Sequence, residues 1–152
     1  MNVPDCEFCD GDGGEVIVSR EKWRIVRVTG ADGAAYPGFC RVIWNEHVKE
    51  LTDLVDAERK SFMDAVFTLE VALRGALQPE KMNVASLGNL TPHLHWHVIP
   101  RYRDDPAFPQ PVWAISNQSP PSLGKLGNKQ EMPRDRSGAQ WVSAVSRAFA
   151  AS

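Results

Sequence analysis

The chain has 152 residues, 43% apolar and 24% charged, and its 17 basic and 19 acidic side chains leave a net charge of −2. That size suits one core without disulfide staples. The charge balance gives no reason to expect nucleic acid or an anionic membrane as a partner, and no stretch approaches the roughly 18 apolar residues of a spanning helix.

Met1 to Asp10 lacks the apolar run of a secretory signal, so a soluble cytoplasmic protein with reduced cysteines is expected. Cys6 to Gly14, dense in Asp and Gly, reads as a loop or knuckle. Two strands are expected at Glu15–Ser19 and Trp23–Val28, the second with Trp23, Ile25 and Arg27 on one side and Arg24, Val26 and Val28 on the other. Thr29 to Gly38, with its Gly and Pro content, reads as a turn or loop, and Phe39–Trp44 as the next strand. A long helix follows, with Asp53 or Thr52 as its cap and a buried stripe of Ala57, Phe62, Ala65, Val66, Leu69, Ala72, Leu73, Ala76 and Leu77; Pro79 stops it.

Lys81–Leu87 and His93–Arg101 are the remaining strands, joined by the turn Gly88-Asn-Leu-Thr-Pro92. From Tyr102 to Gly138 the composition shifts, since six of the eleven prolines fall there. Such a stretch is either a disordered tail or an arm pinned to the body, and the aromatics of Phe108-Pro-Gln-Pro-Val-Trp113 favour docking. Ser137 is expected to cap a last helix, Ala139 to Ala150, with Trp141, Val145, Ala148 and Phe149 on one face. This order implies an α+β fold: an antiparallel sheet with one long helix packed on it, a Pro-rich C-terminal arm and a short terminal helix.

Three of the four histidines fall within five residues, in His93-Leu-His95-Trp-His97. Side chains two apart on a strand share a face, so the three imidazoles point one way while Leu94, Trp96 and Val98 point into the core. A polar face that happens to carry histidine rarely alternates so cleanly. Imidazole suits nucleophilic attack, proton transfer and metal ligation near neutral pH, which leaves a phosphate-handling strand and a metal-binding strand as the readings. Cys6-Glu-Phe-Cys9 poses a second choice. A redox pair opens a helix, and Asp10-Gly-Asp-Gly-Gly14 is a poor helix start. A zinc knuckle wants such a tight turn and two further ligands.

His93-Leu-His-Trp-His-Val-Ile99, followed by Pro100-Arg101, resembles the signature of the histidine triad (HIT) family, His-φ-His-φ-His-φ-φ with φ apolar. The order of elements from Cys6 to Arg101 is similar as well. The resemblance implies a HIT-like catalytic domain over 1–101 carrying the N-terminal knuckle, with 102–152 an arm and short helix of the same domain. It also implies a nucleotidyl hydrolase or transferase that cleaves a phosphoanhydride or phosphoramidate bond, as in a dinucleoside polyphosphate. His95 would attack the α-phosphorus to form a covalent nucleotidyl-imidazole, and His97 would bond a phosphoryl oxygen or hold the leaving group's proton. Some relatives carry a structural zinc, which here implies Cys6, Cys9, His47 and His93 as ligands. No organic cofactor is implied, and a homodimer is.

Two departures from the family pattern concern the phosphate. Ser86 stands where the family often has Asn, with Asn83 a same-strand alternative, and Asn89 and Thr91 occupy a shortened loop before the triad. Arg101 is weighed evenly between phosphate contact and a solvated or paired side chain. Lys125, Lys129, Arg134 and Arg136 are offset by Asp104, Asp105, Glu131 and Asp135 and read as surface. Trp113 reads first as packing and second as a base-stacking ring, and Cys40 as a core residue. Two rival functions remain: a cupin-type metal enzyme ligated by the strand histidines, and a nucleotide-sensing module with little turnover.

Overall fold

Runs of β-branched and aromatic residues become strands where they have a neighbour to pair with. In the computed structural model, which describes residues 3–114, 136 and 138–150, five strands form: β1 (Glu15–Ser19), β2 (Trp23–Arg27), β3 (Cys40–Trp44), β4 (Lys81–Ala85) and β5 (His95–Arg101). They make one sheet in the order β1-β2-β3-β5-β4, every pair antiparallel. Helices are α1 (Glu7–Asp10), α2 (Gly30–Ala35), α3 (Asp56–Leu77) and α4 (Ala139–Ala150). This is the expected α+β class. A single open sheet flanked by helices differs from the double-sheet jelly roll of a cupin.

One sheet face is sealed by α3 and α4. Val18, Trp23, Ile25, Val42, Trp44 and Val98 meet Phe62, Val66, Leu69 and Leu73 of α3 and Trp141, Val145 and Phe149 of α4 in one apolar cluster. The stripe read from α3 is therefore the core, except that Ala57 is exposed. Gln78 closes the helix in the left-handed conformation (φ 48°), its N–H donating to the Arg74 carbonyl, just before Pro79.

Several boundaries depart from expectation. The long helix starts at Asp56 behind Val55, with no side-chain cap. Asp53 is already used: with Glu50 it forms a reciprocal capping box on a 3₁₀ turn, Leu51–Asp53, and the Glu50 N–H donates to its carboxylate at 3.1 Å. Leu54 then drops into the core and breaks continuity. The loop at Thr29–Gly38 contains α2, and the knuckle contains α1, so Cys9 sits on one helical turn after all. β4 ends at Ala85 and β5 begins at His95, because the His93 and Leu94 N–H groups bond the Thr91 and Val48 carbonyls instead of a strand. Ser137, Lys125, Lys129, Glu131, Arg134 and Asp135 lie outside the described residues.

The opposite sheet face is covered by pieces of chain rather than by helices of any length. The knuckle packs Cys6 and Phe8 on Val26 and Ile43. Arm residues Ala107 and Val112 pack near Val28, Tyr36, Phe39 and Ile99.

Candidate functional site

Strand alternation puts His95 and His97 on the face away from α3, and His93, just before β5, turns its ring the same way. Phe8 makes edge contacts with both His93 (5.7 Å) and His95 (4.8 Å), and the His95 and His97 rings are 4.7 Å apart. All three imidazoles are buried.

Their hydrogen bonds set the tautomers. His95 Nδ1 lies 2.6 Å from the His93 carbonyl oxygen, which only accepts, so Nδ1 carries the proton and Nε2 keeps its lone pair. His97 Nε2 is 3.1 Å from that Nε2 and donates to it. His97 Nδ1 is buried and has no hydrogen-bond partner among the described residues. Burial, then the charges of its neighbours His95 and Arg41, push His97 from 6.5 down to about 3. His95 is also lowered, chiefly by burial, with the His93 carbonyl opposing the shift. Both rings are held neutral at physiological pH, the form a nucleophile needs.

His93 faces the knuckle. Its Nε2–H donates to the Trp44 carbonyl at 2.7 Å, leaving Nδ1 unprotonated 3.4 Å from Cys6 Sγ and 3.6 Å from Cys9 Sγ. His47 Nδ1 is 3.4 Å from Cys9 Sγ, and the four ligand atoms of Cys6, Cys9, His47 and His93 lie within 4.8 Å of one another. A tetrahedral zinc with its usual bond lengths sets sulfur and nitrogen ligands about 3.6 Å apart. The four residues fit a metal by spacing, donor type and tautomer. Gly13, at φ 79°, lets the turn pass close to Phe8: a Cβ there would meet that ring at 2.8 Å.

The expected substrate contacts fare unevenly. The Ser86 hydroxyl donates to the His95 carbonyl at 2.9 Å. The Thr91 hydroxyl reaches Glu7 at 3.3 Å, and Asn89 is exposed. Arg101 is 2% exposed and donates from all three nitrogens: two bonds to Asp105 (2.7 and 2.9 Å), one to Asn83 (2.6 Å) and one to the Gln110 carbonyl (2.9 Å). Its donors pin the arm, so it is the paired arginine of the two readings rather than a phosphate contact. Asn83, the same-strand alternative, shares the triad's face through its pairing with Ile99, and Arg101 occupies it. The arm returns Trp113 to the site, its ring 4.8 Å from His97 and 44% exposed. Arg136 ion-pairs with Asp104 at 3.2 Å and stacks on Tyr102, as a surface residue would.

Two residues of this face escaped the sequence reading. Phe8 was hidden inside the C-x-x-C spacing. Arg41 left a visible signal, a lone charge in the apolar strand Phe39–Trp44 on the side opposite Val42 and Trp44. It pairs directly across from His97. A cleft of about 330 Å³ opens elsewhere, between Arg27, Thr29, Gly30, Gly33, Arg136 and Trp141, and offers no nucleophile.

A family model described as the HIT domain matches residues 16–104, starting beyond the Cys6–Cys9 knuckle. A histidine triad protein from Bradyrhizobium japonicum has a similar structure, with a TM-score of 0.67 and 25% identity over 90% of this chain and 91% of that one. One from Marinobacter aquaeolei VT8 gives 0.61 and 25% over 68% and 74% of the two chains. A third, from Sinorhizobium meliloti 1021, gives 0.61 and 24% over 72% and 78%. No curated protein matches significantly.

Proposed function

The chain belongs to the HIT family, whose members are nucleotide-binding hydrolases and transferases, and from that premise we propose that it cleaves a phosphoanhydride or phosphoramidate bond at a nucleotide's α-phosphate through His95. Nε2 of His95 gives its lone pair to phosphorus, a P–N bond forms, and the bond to the leaving group breaks with its electron pair on the leaving atom. Water or another acceptor then attacks phosphorus on the other side, and the P–N pair returns to the imidazole. His97, whose Nε2–H points at the reacting nitrogen, donates to a phosphoryl oxygen as the complex forms. Asn89 and Thr91 would border the phosphate, and Ser86 would act on it only through His95, whose carbonyl its hydroxyl holds.

The observation that carries this reading is the 2.6 Å bond from His95 Nδ1 to the His93 carbonyl, which fixes the lone pair on Nε2, the nitrogen facing His97, of a neutral ring. The test is a screen of diadenosine tetraphosphate, adenosine 5′-phosphoramidate and nucleotide sugars with the wild-type chain and His95→Asn. Turnover by the wild type alone, with an alkali-stable nucleotidyl adduct caught by mass spectrometry, is the expected result. Full turnover by the variant refutes it. Nucleotide binding without turnover in either protein makes the chain a sensing module.

Zinc belongs to the same proposal. Cys6, Cys9, His47 and His93 would hold it in a closed site with no open position for substrate, and it would tie the knuckle to the foot of the triad strand. One zinc per chain, lost in Cys9→Ser, is expected by elemental analysis. We further read 1–101 and 102–152 as one cytoplasmic unit that assembles as a homodimer, which sedimentation checks.

A further inference from the structure

We propose that Arg41 is the anion-binding residue of the triad face, its guanidinium fork taking the non-bridging oxygens of the phosphoryl group bonded at His95. The proposal rests on the nucleotidyl-transfer reading above and deepens it, because it names the group that grips the phosphate.

Three arginines stand on this face of the sheet, and two are spent on the protein. Arg24 bonds the carbonyls of Asp12, Phe8 and Gly11 and the side chain of Asn45, clamping the knuckle. Arg101 holds Asp105, Asn83 and Gln110. Arg41 makes one hydrogen bond among the described residues, from Nη1 to the Gly13 carbonyl at 3.0 Å, with the Glu7 carboxylate beyond it at 3.7 Å. Its Nε is buried and has no hydrogen-bond partner among the described residues. A buried charged donor left empty is costly unless something else fills it.

The surroundings hold the fork in position. The guanidinium lies 5.5 Å from the Phe8 ring centre and 5.8 Å from that of Phe39. Those same rings contact the catalytic pair, Phe8 touching His95 at 4.8 Å and Phe39 touching His97 at 5.6 Å. The strand register sets Arg41 directly opposite His97, so the two side chains rise from the sheet side by side. A planar donor fork between two aromatic faces matches a tetrahedral oxyanion, and a lysine ammonium lacks that bidentate geometry. The need for such a group is also visible. Ser86 and Arg101, from which phosphate contacts were expected, donate to the protein itself.

The test titrates the full chain with AMP, inorganic pyrophosphate and adenosine, following calorimetry and total tryptophan fluorescence, in wild type, Arg41→Gln and Arg41→Lys. The wild type should prefer AMP to adenosine. Arg41→Gln should lose roughly tenfold or more in AMP and pyrophosphate affinity and keep its affinity for adenosine, with Arg41→Lys in between. A merely structural role would weaken all three ligands together, and that result overturns the assignment. Unchanged AMP affinity in Arg41→Gln also overturns it, while the wild type's preference for AMP leaves the enzymatic reading standing. A wild type that does not distinguish AMP from adenosine sinks both. Should Arg41→Gln fail to fold, Arg41→Lys decides: wild-type AMP affinity there refutes the fork.

Discussion

On one side of the sheet, Ile25, Val42 and Val98 meet two helices in a continuous apolar layer. On the other, three histidines and three arginines are roofed by a Cys-containing turn and a proline-rich arm, with only small apolar clusters between them. The first side can carry the free energy of folding because burial there needs no compensation by hydrogen bonds. The second holds polar groups out of water, and each must find a partner or wait for a ligand. Stability and chemistry are thus divided between the faces of one sheet, and a substitution should report which face it touches.

The sharpest break in that division is His95→Asn. It should cost at least about a thousandfold in turnover while the melting temperature stays near that of the wild type, as steady-state kinetics and calorimetry together would show. Phe62→Ala is the mirror case. Its ring is fully buried under Trp44, and its loss should cost about 3–5 kcal/mol by urea unfolding, with kcat unaltered in whatever stays folded. Asp105→Ala tests the arm. It strands the buried guanidinium of Arg101 and should cost about 3 kcal/mol, with a red shift in the part of the tryptophan emission that Trp113→Phe removes, as that ring leaves His97. If emission does not change, Trp113 is held by something else.

The effect that develops most gradually is a pH slope. His97 stays neutral in the fold to about 3, against 6.5 ordinarily. Between those values the unfolded chain binds a proton that the folded chain refuses. The stabilising contribution is therefore complete above 6.5 and declines as pH falls toward 3, by up to about 1.4 kcal/mol per unit. In His97→Gln the unfolding free energy should depend less steeply on pH across that window. An identical slope would mean the ring titrates freely.

Much of this was readable beforehand because it depends on period. The alternation in β5 and the three-and-four spacing in α3 dictate which side chains share a face, whatever the partner. The fold class, the triad's common orientation and the gathering of Cys6, Cys9, His47 and His93 follow from such patterns and from the family likeness. What escaped depends on competition between partners. Asp53 reads as a helix cap but Glu50 claims it, and Arg101 reads evenly between a phosphate and a partner but Asp105, four residues on, closes around it. Arg41 and Arg24 sit in similar strands, and only the contacts tell which one is spent.

The arm anchored by Arg101 and Asp105 brings Trp113 to the edge of His97, yet the domain match ends at residue 104. The wall beside His97 is thus written in sequence beyond the match to the family model. Exchanging residues 106–114 for another stretch would reshape what reaches the imidazoles without altering a single strand. If the proposed activity holds, a chimaera carrying a foreign arm is expected to change substrate preference while the triad's turnover persists.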